Sequence, residues 1–269
     1  MDNKICVIIP AKATSKRVPG KNIKNMAGKP MMAYIIETAR QAKGVDRVIV
    51  STESEDVAKV ARQYGAEVPF LRPMALTEDQ VTTREVLQHA VDALRQQENY
   101  KPDYVLLLYP TSPLLKQERI EQAIAIVNER GSDSVFSGCY DKGHYWIEVE
   151  GGWERLYPQK QVNSQYQIPL VVENGAIYLT KTEFLKRQYV ADKADVVIME
   201  PDENVDVVTV AFSNYLDSAI GKVLDPAINI SFLSLLPDMV PQENALDLTR
   251  EYYSNPFHAR KQLNTIYKY

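Results

Sequence analysis

The stretch ICVIIPAKATSKRVPGKN (residues 5–22) indicates the fold, because an apolar run passes directly into a polar loop rich in cations. Residues 5–10 form a continuous apolar segment closed by proline, which is typical of a strand buried on both faces of a parallel sheet. In an open parallel sheet, ligands bind beyond the carboxyl ends of the strands, where this loop emerges. The cations gathered there are Lys12, Lys16, Arg17, Lys21 and Lys24.

The composition of this loop predicts a binding site for a triphosphate. Small residues and the Pro19-Gly20 turn allow backbone amides to point at phosphate oxygens, and the ammonium groups neutralise their charge. The loop has neither the G-x-x-x-x-G-K-[ST] pattern of a P-loop nor the G-x-G-x-x-G dinucleotide pattern. A solvated, lysine-rich loop without a ligand is the alternative that the residues alone leave open.

Beyond the loop, apolar strands alternate with amphipathic helices. This alternation predicts right-handed βαβ units and a mostly parallel, doubly wound α/β sheet. The patterns predict helices beginning at Pro30, at 54–64, behind the capping box Thr82-x-x-Glu85 and at 116–130. Strands are predicted at 47–51, 66–71 (an edge strand, because of Pro69), 103–109, 133–138, 174–180, 195–199 and 205–212.

The pattern changes in residues 140–170, which are rich in aromatic and polar side chains and include a hairpin signal at Gly151-Gly152. This segment is interpreted as an excursion from the α/β core. The chain is therefore divided into a domain of residues 1–212, which includes the excursion, and a C-terminal extension of residues 213–269.

Bulk properties exclude several classes of function. The chain has 269 residues, 45% of them hydrophobic, and a net charge of −4, so it lacks the basic field that nucleic acid polymers attract. No apolar run approaches the roughly 18 residues that a membrane span needs, and the amino terminus runs directly into a strand without a signal peptide. Cys6 and Cys139 form no disulfide framework or cysteine metal site. A cytoplasmic protein is the expectation.

Four segments, taken in order and at their spacing, resemble one protein family. They are IIPAKATSKRVPGKNIKNMAGKP (8–30), DRVIVSTESEDVAKVARQYGAEVPFLRP (46–73), YPTSPL (109–114) and NGAIY (174–178). The stretch of about residues 4–180 resembles the CMP-sialic acid synthetases, or acylneuraminate cytidylyltransferases. The resemblance implies a Rossmann-like nucleotidyltransferase that transfers CMP from CTP to a nonulosonic acid sugar and releases pyrophosphate. It also implies Mg²⁺ and a homodimer in which the excursion reaches across to the partner's sugar site.

The same resemblance assigns roles to individual residues. Lys16 and Lys21 would contact the triphosphate and carry catalysis together with Asp206, the predicted metal ligand. For Asp206, an ordinary polar residue at a strand end is the alternative. The predicted nucleotide site comprises Lys12, Ser15, Lys16, Lys21, Asn22, Arg72, Thr83 and Tyr109.

The predicted sugar site comprises Gln165, Asn174 and Tyr145. Two of these residues have structural alternatives. Asn174-Gly175 could simply form a turn before a strand, and Tyr145 belongs to an aromatic group suited to packing at an interface.

The chain departs from the family pattern at positions that concern the metal and the sugar. Lys12 replaces an arginine, and Tyr109 replaces a glutamine, as in relatives that act on pseudaminic acid. Val208 stands where a second metal aspartate is expected, and Ser164 and Val172 replace arginines that bind the sugar's carboxylate. Two alternatives therefore stay open: a catalytically impaired CTP-binding protein with a regulatory or structural role, and a nucleotidyltransferase for another acceptor.

Overall fold

The computed structural model describes residues 3–15, 20–200 and 203 of the chain. Several predicted features lie outside these residues. They are Lys16, Asp206, the strand at 205–212 and the extension at 213–269.

Ten strands and four α-helices make up the described part of the chain. The strands are β1 (Ile5–Pro10), β2 (Asn25–Met26), β3 (Lys29–Pro30), β4 (Val45–Ser51), β5 (Tyr104–Leu107), β6 (Ser134–Asp141), β7 (Tyr145–Val149), β8 (Gly152–Tyr157), β9 (Leu170–Lys181) and β10 (Asp195–Ile198). The helices are α1 (Met31–Gln41), α2 (Glu55–Gln63), α3 (Thr83–Glu98) and α4 (Gln117–Arg130). Short 3₁₀ turns lie at Lys21–Ile23, Met74–Thr77, Ser164–Tyr166 and Thr182–Lys186.

The central sheet has six strands in the order β10-β6-β9-β5-β1-β4. All neighbouring pairs are parallel except those that involve β9, which runs antiparallel to both β5 and β6. Five strands therefore end at the same edge of the sheet, and β9 begins there. The predicted mostly parallel α/β fold is confirmed.

Helices cover both faces of the sheet, which explains why β1 is apolar throughout. Ile5, Val7 and Ile9 belong to the core that also contains residues of α1, α2 and α4. Cys6 and Ile8 face the second core, with residues of α3. Burial raises the pKa of the Cys6 thiol to about 12, so this cysteine is an inert core residue.

The predicted edge strand at 66–71 is wrong. Only Glu67 pairs with the sheet, through a single parallel bridge to Ile49. Its amide donates to Val48 O at 2.8 Å and its carbonyl accepts from Val50 N at 2.9 Å. Pro69 has no N–H with which to extend this ladder, so the chain leaves the sheet after one bridge.

The excursion forms a two-stranded hairpin, β7–β8, separate from the central sheet. The hairpin turns at Glu150 and Gly151, and Gly152 begins β8, so the turn lies where the Gly151-Gly152 signal predicts it. Exposed apolar side chains are concentrated here: Tyr140, Trp146, Ile147, Trp153, Leu156, Val162, Tyr166 and Ile168. Within the described part of the chain, no helix has the length and apolar character that a membrane crossing requires.

Candidate functional site

The loop after β1 lies at the edge where the parallel strands end. Ala11 continues the ladder by donating to Ser51 O at 2.9 Å, and the chain then turns away from the sheet. The loop returns through the short hairpin β2–β3, whose two turn residues, Ala27 and Gly28, both have positive φ. Such a turn suits a tight two-residue hairpin, so the loop ends at a fixed point before α1.

Hydrogen bonds hold the described parts of the loop to one another. The side chain of Asn22, only 4% exposed, donates to Lys12 O at 2.9 Å. The carbonyl of Ala13 accepts from the amides of Ser15 at 3.0 Å and Gly20 at 3.4 Å. Gly20 has φ +65°, a left-handed conformation that favours glycine. The described ends of the loop, residues 11–15 and 20–22, are therefore held together, and the buried Asn22 is part of that contact.

The two described lysines of the predicted triphosphate site lie in different surroundings. Lys12 directs its ammonium group to Thr77 O at 3.3 Å and to the carboxylate of Asp79 at 3.6 Å. Lys21 begins the 3₁₀ turn that follows Gly20. Lys12 therefore ties the loop to the segment before α3, and Lys21 lies where the loop turns back towards the sheet.

A buried ion pair lies beside the loop. The guanidinium of Arg72 donates from Nη2 to Glu53 Oε2 at 3.1 Å, with the two side chains 3% and 4% exposed. Burial lowers the pKa of Arg72, and the Glu53 carboxylate opposes that change. Glu53 also accepts from the amide of Ala13 at 2.8 Å through Oε1. The loop and Arg72 therefore share one carboxylate.

Sequence reasoning missed Glu53, although its position in the predicted fold was a signal for a site residue. Glu53 lies two residues beyond the end of β4, at the carboxyl edge where this sheet class places its site. An acidic residue there gives no phosphate-binding signal by itself. Its role depends on Ala13 and Arg72, which are distant in sequence.

The amino terminus of α3 brings Thr83 and Tyr109 together. Their hydroxyl oxygens are 3.0 Å apart. The capping box is confirmed, because Thr82 accepts from the amide of Glu85 and donates to its carboxylate through both its own amide and hydroxyl. These donors hold the pKa of Glu85 below its usual range. Thr83 therefore begins a well-formed helix whose first turn favours an anion.

The three predicted sugar-site residues lie in three different surroundings. Asn174 is engaged within the fold: its Oδ1 accepts from Ser137 Oγ at 2.6 Å and from the amide of Ala176 at 3.2 Å. Tyr145 begins β7, and burial together with the nearby Asp141 carboxylate raises its pKa to about 12. Gln165 is exposed, in the 3₁₀ turn of the excursion. A sugar-binding role for these residues stays a prediction.

The described residues do not by themselves form a metal site. Among residues 3–15, 20–200 and 203, no three acidic, histidine or cysteine side chains gather closely enough to hold a metal ion. Glu203 is buried, but its carboxylate already pairs with Lys116 Nζ at 2.7 Å and Arg119 Nε at 2.8 Å. The predicted ligand Asp206 lies outside the described residues.

Together, these groups suit the binding of a polyanion. The described lysines of the loop, the buried Arg72 and the first turn of α3 all lie at the carboxyl edge of the sheet. The amides of Ala13, Ser15 and Gly20 already donate within the fold, to Glu53 and to the carbonyl of Ala13. Positioned cations and N–H groups are the equipment that nucleotidyl transfer needs, since such chemistry depends on orientation and charge neutralisation.

Comparison with known proteins identifies relatives along most of this chain. The sequence model of the cytidylyltransferase family matches residues 6–201. A CMP-N,N'-diacetyllegionaminic acid synthase of Legionella pneumophila is 34% identical over 216 residues, which cover 77% of this chain and 91% of that protein. A pseudaminic acid cytidylyltransferase of Campylobacter jejuni is 41% identical over 130 residues, which cover 48% of this chain and 56% of that protein.

Solved structures support the same fold. A CMP:2-keto-3-deoxy-manno-octonic acid synthetase in complex with CTP matches 82% of this chain and 99% of its own length, with a TM-score of 0.61. The two sequences are only 17% identical, so this likeness concerns the fold.

Proposed function

The chain belongs to the cytidylyltransferase family, and on this premise we propose that it transfers CMP from CTP to a nonulosonic, sialic-acid-like sugar and releases pyrophosphate. The observation that carries the proposal is the base of the lysine loop at the carboxyl edge of the sheet, which Glu53 ties to the buried Arg72. The legionaminic acid synthase, similar over nearly its whole length, supports a nonulosonic acid as acceptor.

In the proposed reaction, the anomeric hydroxyl of the sugar attacks the α-phosphate of CTP. The bond between the α-phosphorus and its bridging oxygen to the β-phosphate breaks, pyrophosphate leaves with that oxygen, and the proton of the hydroxyl is released to solvent. Lys16 and Lys21 would neutralise charge on the triphosphate, with Lys12 and Ser15 completing the loop. Arg72 would bind the nucleoside part, because it is buried beside the loop rather than at its tip.

Thr83 and Tyr109 would border the phosphates at the start of α3. The hydroxyl of Thr83 lies in the first helical turn, where a phosphate oxygen is stabilised by the helix terminus. Tyr109 contacts this hydroxyl from just beyond the end of β5, so the pair fixes one wall of the site. This placement makes Tyr109 a candidate for discrimination between acceptor sugars.

Mg²⁺ is part of the proposal and depends on Asp206. Magnesium prefers oxygen ligands and commonly uses one or two carboxylates together with substrate phosphates. A single aspartate with the triphosphate oxygens fits that requirement, whereas Glu203 is already neutralised by two cations. When bound, the ion would neutralise charge on the phosphates.

We also propose a homodimer formed through the excursion. Trp153 is 65% exposed and Ile168 is 77% exposed, and both belong to a patch of apolar side chains on this segment. Such patches commonly mark an interface with another protein chain. Through this contact, Tyr145 and Gln165 would approach the partner's sugar site. A cytoplasmic location stays a prediction.

The proposal is tested by pyrophosphate release from CTP and Mg²⁺ with a panel of legionaminic, pseudaminic, N-acetylneuraminic and 3-deoxy-octulosonic acids. Turnover with at least one nonulosonic acid, absent when CTP or sugar is omitted, is the expected result. CTP binding without turnover on the whole panel would instead support the impaired, CTP-binding alternative.

A further inference from the structure

We infer that Glu53 is a positioning residue, whose single carboxylate fixes the spacing between the lysine loop and Arg72 and so sets the affinity for CTP. The inference rests on the proposed function, since it assumes that these two elements bind different parts of one nucleotide. It concerns a residue for which neither the loop motif nor the predicted site provided a role.

The geometry uses both oxygens of the carboxylate. Oε1 accepts from the amide of Ala13 at 2.8 Å, and Oε2 accepts from Arg72 Nη2 at 3.1 Å. The side chain of Glu53 is only 4% exposed, so water is largely excluded from these contacts. Because the contacts are buried, a donor that loses its acceptor here cannot bond to water instead, and its loss costs free energy of folding.

The anchor at Ala13 acts on the base of the loop. The carbonyl of the same residue accepts from the amides of Ser15 and Gly20, and the preceding carbonyl, of Lys12, accepts from Asn22. Ala13 is therefore held on the sheet side by Glu53 and on the loop side by its own carbonyl. A shift of Glu53 would move the loop base, which lies between these contacts.

The anchor at Arg72 leaves the Nε–H of this side chain, which is buried, without an acceptor among the described residues. Glu53 holds Nη2, which orients the planar guanidinium, so the direction of Nε is set by the same carboxylate. The loop and the donor are thus placed relative to each other by one side chain.

A glutamine at this position could satisfy only one of the two donors. Its amide has the shape of the carboxylate, but one oxygen is replaced by an NH₂ group that itself donates. In either orientation, the NH₂ group faces Ala13 N–H or Arg72 Nη2. Glu53→Gln therefore breaks the link between the two elements while it preserves side-chain volume.

The test compares Glu53→Gln with the matched control Asp195→Asn by calorimetric titration of CTP. Asp195 also joins an arginine and a second donor, Arg130 and Ser132, but it lies at the amino end of β10. It is more exposed, at 29%. We expect CTP affinity to fall by about tenfold or more in Glu53→Gln, a change of roughly 1.4 kcal/mol. Affinity in Asp195→Asn should stay within about twofold of wild type.

Titration with inorganic tripolyphosphate separates positioning from general destabilisation. This ligand needs the loop but no contact from Arg72, so Glu53→Gln should weaken it less than it weakens CTP. Equal losses for both ligands, or a folded Glu53→Gln protein that binds CTP as tightly as wild type does, would overturn the inference. Failure of the wild-type protein to bind CTP would instead remove the proposed function.

Hydrogen exchange of the wild-type protein tests the Glu53 contact without depending on the folding of any variant. The Ala13 amide should exchange slowly without nucleotide, because its acceptor is a buried carboxylate. Exchange at the rate of an unprotected loop amide would show that the anchor does not form, and would refute the role of Glu53 even if Glu53→Gln proved insoluble.

Discussion

Replacing Asn22 by alanine tests whether the loop must be preformed to bind nucleotide. Asn22 is 4% exposed, and its amide donates to Lys12 O at 2.9 Å. The substitution removes this hydrogen bond and leaves the carbonyl of Lys12 without that donor. An acceptor left unsatisfied in this way costs about 1–3 kcal/mol. If the whole cost falls on the binding-competent loop, CTP affinity falls by roughly fivefold to 150-fold.

Two measurements on the same preparations separate binding from stability. CTP binding is followed by calorimetry and global stability by thermal unfolding, in which each 1 kcal/mol corresponds to about 2–4 °C for a domain of this size. Asn3→Ala is the matched control, since Asn3 donates a similar amide hydrogen bond, 2.7 Å to Asn128 Oδ1, but on the exposed surface. That control should change stability by less than about 0.5 kcal/mol and leave CTP affinity intact. Unchanged CTP affinity in a folded Asn22→Ala protein would refute the argument that this amide preforms the site.

Three further predictions concern other parts of the molecule. Thr83→Val removes the hydroxyl that contacts Tyr109, and steady-state kinetics should show kcat/KM for CTP reduced by about tenfold; unchanged kinetics would exclude Thr83 from the site. Trp153→Glu places a charge in the apolar patch of the excursion and should convert the proposed dimer to monomer in sedimentation velocity, whereas a persistent dimer would place the interface elsewhere. Burial acts to raise the pKa of Glu203, but hydrogen bonds from Lys116 and Arg119 lower it below the ordinary glutamate value. The stability that these two bonds provide is therefore fully present above the ordinary glutamate pKa, and it is lost as the pH falls through the lowered pKa of the folded state. Acid unfolding of Glu203→Gln, monitored by circular dichroism, should therefore depend less on pH than that of wild type; identical profiles would contradict this.

The fold was largely predictable because its strongest signals are local. The uninterrupted apolar run of β1 predicts a strand buried on both faces, and the structure places its alternate residues in two cores. The Thr82-x-x-Glu85 pattern predicts the start of α3 to the residue. The local pattern misled at residues 66–71. The apolar residues there match a strand, but Pro69 cannot extend the pairing, and only one bridge to the sheet forms.

The site was predictable only in part, because its components are joined by contacts between distant residues. The loop lysines stand out as a charge cluster, but nothing local reveals that Lys12 is drawn to Asp79. The role of Glu53 becomes visible only in the folded chain, where Ala13 and Arg72, which are distant from it in sequence, both contact its carboxylate. The contacts of Asn174 also appear only in the fold, where its side chain accepts from Ser137 Oγ; its role in sugar binding stays a prediction.

The reversed direction of β9 has a consequence for how acceptor preference can change. β6 ends and β9 begins at the same edge of the sheet, so residues 142–169 between them extend from that edge and belong to neither core. Insertions, deletions or new side chains in this segment need not disturb β1, β4 or β5, beside which the proposed nucleotide site lies. An evolving lineage could thus retain one nucleotide chemistry while exchanging the module that meets the sugar.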